Sequence, residues 1–142
     1  VVDEITTKFN AYTIAFAVSD NMEINNQLTQ EYQEMLMKTN RTQTEALDII
    51  STAYGQIVQK VLSRRPDVQA LYTKGAEYTV ATCRELKSMG LKILGQVLPL
   101  TCYGELIDGD YQGLKCVTSA SSATDTNTIT DSIQYIKRKL AI

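Results

Sequence analysis

Six residues in the second half of the chain have the types and spacing of a cation-binding loop. In Asp108-Gly109-Asp110-Tyr111-Gln112-Gly113, side-chain oxygens stand at the first, third and fifth positions and a glycine at the sixth, as in the first half of a calcium loop. The second half departs from that pattern, because Ser119 replaces the bidentate glutamate and Lys115 replaces an apolar residue. Asp-Gly is also a strong turn signal. The sequence therefore predicts a turn here and no metal site.

The three cysteines are the second group of residues that could be functional, because thiols can form disulfides or bind metals. Cys102 and Cys116 are fourteen positions apart across a glycine-rich stretch, and a bridge between them closes a loop of about 15 residues, which is worth about 3 kcal/mol. We predict a Cys102–Cys116 disulfide, with two buried reduced thiols as the alternative. Cys83 is expected to be a small buried side chain, although a Cys83–Cys102 bridge that leaves Cys116 free or intermolecular is a second interpretation. No Cys-x-x-Cys pair supports zinc or redox chemistry.

The residues that most often carry catalysis are missing from the chain. Histidine is absent, which removes the usual proton shuttle near neutral pH and the commonest metal ligand. The glycines at Gly104 and Gly109 follow neither the P-loop nor the dinucleotide-binding pattern. We therefore expect no catalytic residues, no cofactor and no enzymatic activity.

The charge balance argues against polyanionic partners. The 142 residues carry 14 basic and 16 acidic side chains, a formal charge of −2, which gives no surface for neutralising many phosphates. We expect no nucleic-acid partner. No apolar run reaches the roughly 18–20 residues of a membrane span, so none is predicted. With 44% apolar residues the chain is long enough for one domain with its own core.

Three features favour an extracellular protein. Asn40-Arg41-Thr42 is an N-glycosylation sequon at a predicted break between helices, so Asn40 is the candidate glycosylated residue. The chain begins at Val1 without a methionine, as a mature product would after signal removal. Together with the spacing of Cys102 and Cys116, these features predict a secreted glycoprotein.

Apolar residues recur at helical steps of three and four along most of the chain. The predicted helices cover, in order, Ile5 to about Lys38 (kinked or divided in two), Thr42 to about Leu62, Pro66 to about Pro99, and Thr128 to Leu140. The second begins with a capping box formed by Thr42 and Glu45. No stretch alternates at period two. The predicted fold is a single all-α domain over residues 1–142, a bundle of four to five amphipathic helices with one long disulfide-closed loop.

Tyrosines on the helical stripes define a candidate ligand site. The chain has eight tyrosines and no tryptophan, and such tyrosines usually lie at the edge of a core. Gly75, in the middle of a predicted stripe, either lets a neighbouring helix approach or leaves a gap. If it leaves a gap, Tyr54, Gly75, Tyr78 and Thr82 would line a cavity for an apolar ligand.

Two functions from different classes agree with this interpretation. The first is a secreted non-enzymatic binding protein, a helical bundle that acts through a protein-partner surface or a cavity for a small apolar ligand. The alternative is a structural or assembly protein, in which the odd cysteine links chains into an oligomer.

Overall fold

The order of helices and strands shows an α/β fold. The computed structural model describes residues 1–11, 23–24, 27–120 and 126–142. Its elements are α1 (Val2–Ala11), β1 (Glu23–Ile24), β2 (Gln27–Leu28), α2 (Gln30–Thr39), α3 (Gln43–Arg64), β3 (Ala70–Lys74), α4 (Ala76–Glu85), β4 (Gly90–Leu98), β5 (Thr101–Ile107), β6 (Lys115–Ser119) and α5 (Thr128–Leu140). The predicted all-α bundle is therefore wrong. The chain divides into two compact units, Val1–Ile50 and Ser51–Ile142, and its description as one domain stays a prediction.

In the first unit, a short antiparallel pair of strands lies between α1 and α2 in the order of the chain. β1 and β2 pair with Ile24 opposite Gln27. α2 begins where the Thr29 hydroxyl accepts a hydrogen bond from Tyr32 N–H at 3.3 Å. It ends at Asn40, which adopts the left-handed conformation with a φ of 50°. The prediction of helix from residue 5 to 38 is therefore right at its two ends and wrong at β1 and β2. The kink or division predicted near residues 19–21 lies outside the described residues.

Two predicted helices are confirmed. α3 begins with a reciprocal capping box, in which Thr42 N–H donates to Glu45 Oε2 at 2.8 Å and Glu45 N–H donates to Thr42 Oγ1 at 3.2 Å. The hydrogen bond from the Thr42 backbone is the main cause that holds the pKa of Glu45 below its usual value. α5 carries Asp131 in its first turn and basic residues in its last, as the helix dipole favours. Neither α3 nor any other described helix has the length and apolarity needed to cross a membrane.

Residues 66–99 form two strands around a short helix, not the single helix that was predicted. α4 ends in a turn where Lys87 adopts a positive φ of 57° and Ser88 N–H donates to Cys83 O at 2.9 Å. The apolar steps in this region therefore belong to three different elements, β3, α4 and β4.

The second unit contains a four-stranded mixed sheet in the order β3-β6-β5-β4. β3 and β6 run parallel, with Ala70 opposite Lys115 and Lys74 opposite Ser119. β5 is antiparallel to both β6 and β4. Residues 97–116, predicted to be a disulfide-closed loop, instead supply the end of β4, all of β5 and the start of β6. The turn predicted at Asp108–Gly113 is confirmed and connects β5 to β6.

Helices cover both faces of this sheet. On one face, residues of α3, α4 and β5 and the C-cap of α4 form a buried core that consists of Leu62, Cys83, Leu86 and Leu106. On the other face lies α5, whose Tyr135 ring is 5.3 Å from the Tyr103 ring of β5. The sheet is therefore a central layer between helices, an arrangement typical of α/β folds.

β5 and β4 approach closely at a position without a side chain. A Cβ atom on Gly104 would lie 2.5 Å from Lys92 O, a backbone atom of β4. A Cβ atom on Gly95 would lie 3.0 Å from the Tyr135 hydroxyl, the end of a side chain that can move. Backbone packing therefore requires glycine at 104 and tolerates a methyl group at 95.

We expect Gly104→Ala to lower the free energy of unfolding by about 1–3 kcal/mol, because the two strands must separate to admit the methyl group. Gly95→Ala is the matched control and should cost less than about 1 kcal/mol. Urea unfolding followed by circular dichroism measures both values. Equal losses in the two variants would contradict the close approach at Gly104.

A second stability prediction concerns an ion pair on the α5 side of the sheet. Lys115 Nζ lies 2.5 Å from Glu105 Oε2, and the two side chains are 29% and 25% exposed. The hydrogen bond from Lys115 is the main cause that lowers the pKa of Glu105. Since the folded pKa lies below the unfolded value, the pair stabilises the fold above the unfolded pKa, and this contribution is lost as the pH falls through the folded pKa.

We therefore expect Glu105→Gln to lower the urea midpoint at pH 7 and to have a progressively smaller effect below about pH 4. Glu31→Gln, on the exposed face of α2, is the control and should change little at either pH. A loss from Glu105→Gln that is the same at pH 7 and pH 3 would show that the ion pair is not its cause.

Candidate functional site

The parallel strands β3 and β6 end side by side in the second unit. Lys74, the last residue of β3, lies opposite Ser119, the last residue of β6. We call Lys74–Tyr78 together with Thr118–Ala120 the β3/β6 edge. In open α/β sheets, ligands bind outside the carboxyl ends of parallel strands. The β3/β6 edge is therefore the first place to look for a ligand site.

Gly75 makes the sharp connection from β3 into α4. Its φ of 99° is unfavourable for any residue with a side chain, and its N–H donates to Ser119 O at 2.8 Å. A Cβ atom at this position would also lie 3.1 Å from the Tyr78 ring. The glycine thus fastens the start of α4 directly to the end of β6.

The first turn of α4 presents backbone donors at this edge. Gly75 is the N-cap residue and makes no side-chain cap hydrogen bond, and the helix ladder begins with Thr79 N–H donating to Gly75 O at 3.1 Å. The amides of Ala76 and Glu77 precede that first bond and lie at the positive end of the helix dipole. This combination suits an anion such as phosphate.

The two charged side chains at the β3/β6 edge have opposite effects on an anion. Lys74 is exposed immediately before Gly75 and adds positive charge. Glu77 is also exposed, and its Oε2 would lie 3.6 Å from a Cβ atom on Gly75. Its carboxylate therefore lies over the same turn that an anion would occupy.

Three threonine hydroxyls meet just beneath the first turn. Thr79 Oγ1 of α4 lies 2.8 Å from Thr73 Oγ1 of β3 and 2.8 Å from Thr118 Oγ1 of β6. It also donates to Gly75 O at 3.0 Å. One side chain of α4 is thereby hydrogen-bonded to both parallel strands.

On the opposite face of the sheet, two more hydroxyls stabilise the same edge. Thr101 and Ser119 are 0% and 1% exposed, and Thr101 Oγ1 donates to Ser119 Oγ at 3.1 Å. Ala120 N–H also donates to Leu100 O at 2.9 Å, which ties the residue after β6 to the β4–β5 turn. The end of β6 is therefore hydrogen-bonded to the start of α4, to Thr101 of β5 and to the β4–β5 turn.

A second helix N-terminus follows β6. α5 begins after Asn127, which makes no side-chain cap hydrogen bond, just as α4 begins after Gly75. Residues 121–125, between Ala120 and this helix, lie outside the described part of the chain.

Among the residues that are described, no group of three or more acidic or cysteine side chains could hold a metal ion.

Comparison with known proteins shows the family of the chain. Residues 2–120, which include all of the β3/β6 edge, match the family described as the nucleotide-binding C-terminal domain. The chain belongs to this family.

Individual relatives agree with this assignment. D-erythronate kinase of Heliobacterium modesticaldum is 27% identical over 101 residues, which are 70% of this chain and 23% of that kinase. Two crystal structures of a domain of unknown function (DUF1537) from Bordetella bronchiseptica, each a domain-swapped dimer with bound citrate, share the fold with a TM-score of 0.60 and 19% identity. They are matched over 63% of this chain and over 23% and 22% of their own chains. The chain spans about a quarter of the length of these relatives.

The comparisons overturn the functional predictions made from the sequence. A nucleotide-binding family that is related to a kinase does not agree with a secreted non-enzymatic binding protein, or with a structural protein linked through a cysteine. The prediction that the chain is not an enzyme is wrong for the same reason. Extracellular localisation by itself stays a prediction, as does the glycosylation of Asn40, which is exposed after α2.

Two of the four residues predicted to line a ligand cavity, Gly75 and Tyr78, belong to this edge. Tyr54 of α3 and Tyr78 of α4 contact each other edge to face, with ring centroids 5.4 Å apart. Gly75 lies at the start of α4 and not within a helical stripe. Thr82 is buried one turn beyond Tyr78. The structure thus brings Tyr54, Gly75 and Tyr78 together, and a cavity between them stays a prediction.

Sequence reasoning missed Lys74, Thr79 and Thr118. Two short segments, Leu71–Thr73 and Cys116–Thr118, have compositions that favour β-strands, because each combines apolar and β-branched residues. Recognising them as strands would have placed Lys74 and Thr118 at carboxyl ends. Their pairing, which brings both to one edge, has no local signature.

The predicted disulfide between Cys102 and Cys116 is wrong, because all three cysteines are free. Cys102 lies opposite Thr118 and Cys116 lies opposite Gly104, so the two cysteines are diagonal neighbours. Diagonal positions on adjacent strands are about 7–8 Å apart, which is beyond the span of a disulfide. The alternative Cys83–Cys102 bridge is also not formed, and Cys83 is buried as expected.

We expect a single fast-reacting thiol in the native protein, that of the partly buried Cys102. Burial raises the pKa of Cys116 to about 12 and also raises that of Cys83, so neither forms the reactive thiolate at pH 8. Iodoacetamide labelling followed by mass spectrometry should show one modified cysteine, and three in urea. Cys102→Ser should remove the fast reaction and Cys83→Ser should retain it. Three fast reactions in the folded wild type would contradict the buried positions.

Proposed function

We propose that the chain binds a nucleoside triphosphate at the β3/β6 edge and is the nucleotide-binding part of a kinase that phosphorylates a small sugar acid. The family match over residues 2–120 is the observation that carries this proposal. The relationship to D-erythronate kinase supports the reaction and the class of acceptor. Because the match covers 23% of that kinase, the site proposed for this chain is limited to the nucleotide.

The geometry supports phosphate binding by the main chain. The amides of Ala76 and Glu77 precede the first bond of the α4 ladder, and Gly75 adds no side chain of its own beside them. Hydrogen bonds to a charged acceptor contribute about 1.5–3 kcal/mol each. Lys74 can add a charge-assisted contact from the side of β3.

Glu77 sets the electrostatic balance of the proposed site. Its exposed carboxylate shares the first turn of α4 with the donor amides. It stabilises the empty helix N-terminus and repels a phosphate group that approaches the same turn. Removal of its charge should therefore strengthen nucleotide binding, whereas removal of the Lys74 charge should weaken it.

Isothermal titration of the full chain with ATP tests these opposite effects. We expect Lys74→Ala to weaken ATP binding about tenfold, the loss of one charge-assisted contact, and Glu77→Gln to strengthen it. Lys60→Ala is the matched control, because Lys60 is exposed on α3 outside the β3/β6 edge. Wild-type protein that does not bind ATP would contradict the proposal. Equal effects of Lys74→Ala and Lys60→Ala would place the nucleotide elsewhere.

The acceptor is tested separately by ATP-dependent phosphorylation of D-erythronate, with a neutral four-carbon sugar as the comparison. The protein assayed is the complete kinase of which this chain is proposed to be the nucleotide-binding part, since the chain matches only 23% of D-erythronate kinase. ADP release that requires the sugar acid supports the proposed acceptor class. If ATP binds and no sugar acid stimulates ADP release, the nucleotide site stands and the acceptor class is wrong.

A further inference from the structure

We propose that Thr79 is a positioning residue, which holds the first turn of α4 against β3 and β6 and thereby sets the affinity for the nucleotide phosphates. This inference rests on the proposed nucleotide site. Thr79 lies one turn inside α4, below the amides of Ala76 and Glu77. Its effect on a ligand must therefore act through the backbone that it fastens.

The direction of each hydrogen bond at Thr79 follows from proton counting. A threonine hydroxyl has one proton and two lone pairs. Gly75 O is a carbonyl and accepts only, so Thr79 Oγ1 uses its proton there. Thr73 Oγ1 and Thr118 Oγ1, each 2.8 Å away, must then both donate to Thr79. All hydrogen-bonding capacity of the Thr79 hydroxyl is occupied.

This arrangement joins three segments of the chain through one side chain. Thr79 contacts the residue before Lys74 on β3, the residue before Ser119 on β6, and the N-cap of its own helix. Gly75 O thereby accepts from both the Thr79 N–H and the Thr79 hydroxyl. These bonds act together with the hydrogen bond from Gly75 N–H to Ser119 O to fix the positions of the first-turn amides relative to the two strand ends.

Replacement by valine removes the hydroxyl and keeps the shape of the side chain. Thr73 is 9% exposed, so its hydroxyl would lose the Thr79 acceptor in a largely buried place. The Thr118 hydroxyl would lose the same acceptor at a partly exposed position. Such loss is costly for buried polar groups, and the first turn of α4 can reduce the cost by moving. Serine keeps the hydroxyl and should keep the turn in place.

The experiment compares Thr79→Val and Thr79→Ser in the full chain, with Thr82→Val as the matched control. Thr82 is buried in the same helix, and its hydroxyl has no part in the bonds around Thr79. ATP and adenosine affinities are measured by competition against a fluorescent ATP analogue, and thermal unfolding is recorded for each variant. We expect Thr79→Val to weaken ATP binding about tenfold and adenosine binding by less than about twofold. Thr79→Ser and Thr82→Val should both remain within about twofold of wild type for ATP.

A folded Thr79→Val variant that binds ATP as wild type does would overturn the inference, and so would equal losses for ATP and adenosine. If Thr79→Val does not fold, Thr118→Val removes one of the same bonds at a partly exposed position. It should then reduce ATP affinity selectively, and unchanged ATP affinity in that variant overturns the inference. Wild-type protein without ATP binding removes both this inference and the proposed function. If the wild type binds ATP and the variants bind it with the same affinity, the proposed nucleotide site stands and only the role of Thr79 is wrong.

Discussion

The parallel pairing of β3 with β6 is the contact on which the rest of the second unit depends. A parallel pair cannot be joined by a tight turn and needs a long crossover connection. Here that connection contains α4 and the β4–β5 hairpin. The pairing therefore fixes where α4 begins, where β6 ends, and which residues occupy the same edge. Without it, Lys74 and Thr118 would have no reason to be neighbours.

The interior position of β6 explains its composition. Cys116 and Val117 point to opposite faces of the sheet and are 2% and 0% exposed, because helices cover both faces. A strand buried on both sides shows no polar alternation, so it lacks the pattern by which strands are usually recognised. The sequence of β6 is instead compatible with a buried loop, a buried helix or a strand. The fold-class error begins here.

Local signals predicted the elements that depend on local interactions. The start of α3 could be predicted because Thr42 and Glu45 satisfy each other's backbone within one turn. The strand β4 could not, because register shifts between Ile93 and Gly95 and between Gln96 and Leu98 interrupt its alternation. The helical steps through β3 and α4 were coincidental, since Gly75 separates two elements that contribute residues to adjoining parts of the core. Of the candidate site, only Gly75 and Tyr78 were singled out, and for a different ligand.

The expectation of no enzymatic activity, drawn from the absence of histidine, assumed that side chains perform the chemistry. Phosphoryl transfer depends mainly on positioning and electrostatic stabilisation of phosphate groups. At the β3/β6 edge, the nucleotide site that we propose, both can come from the main chain, because the first-turn amides of α4 donate regardless of which residues carry them. What the sequence must supply is a residue that permits the turn, Gly75, and hydroxyls that hold the turn in place, Thr73, Thr79 and Thr118. These are common residue types without a distinctive spacing in the chain, and their meaning appears only when the parallel strands bring them together.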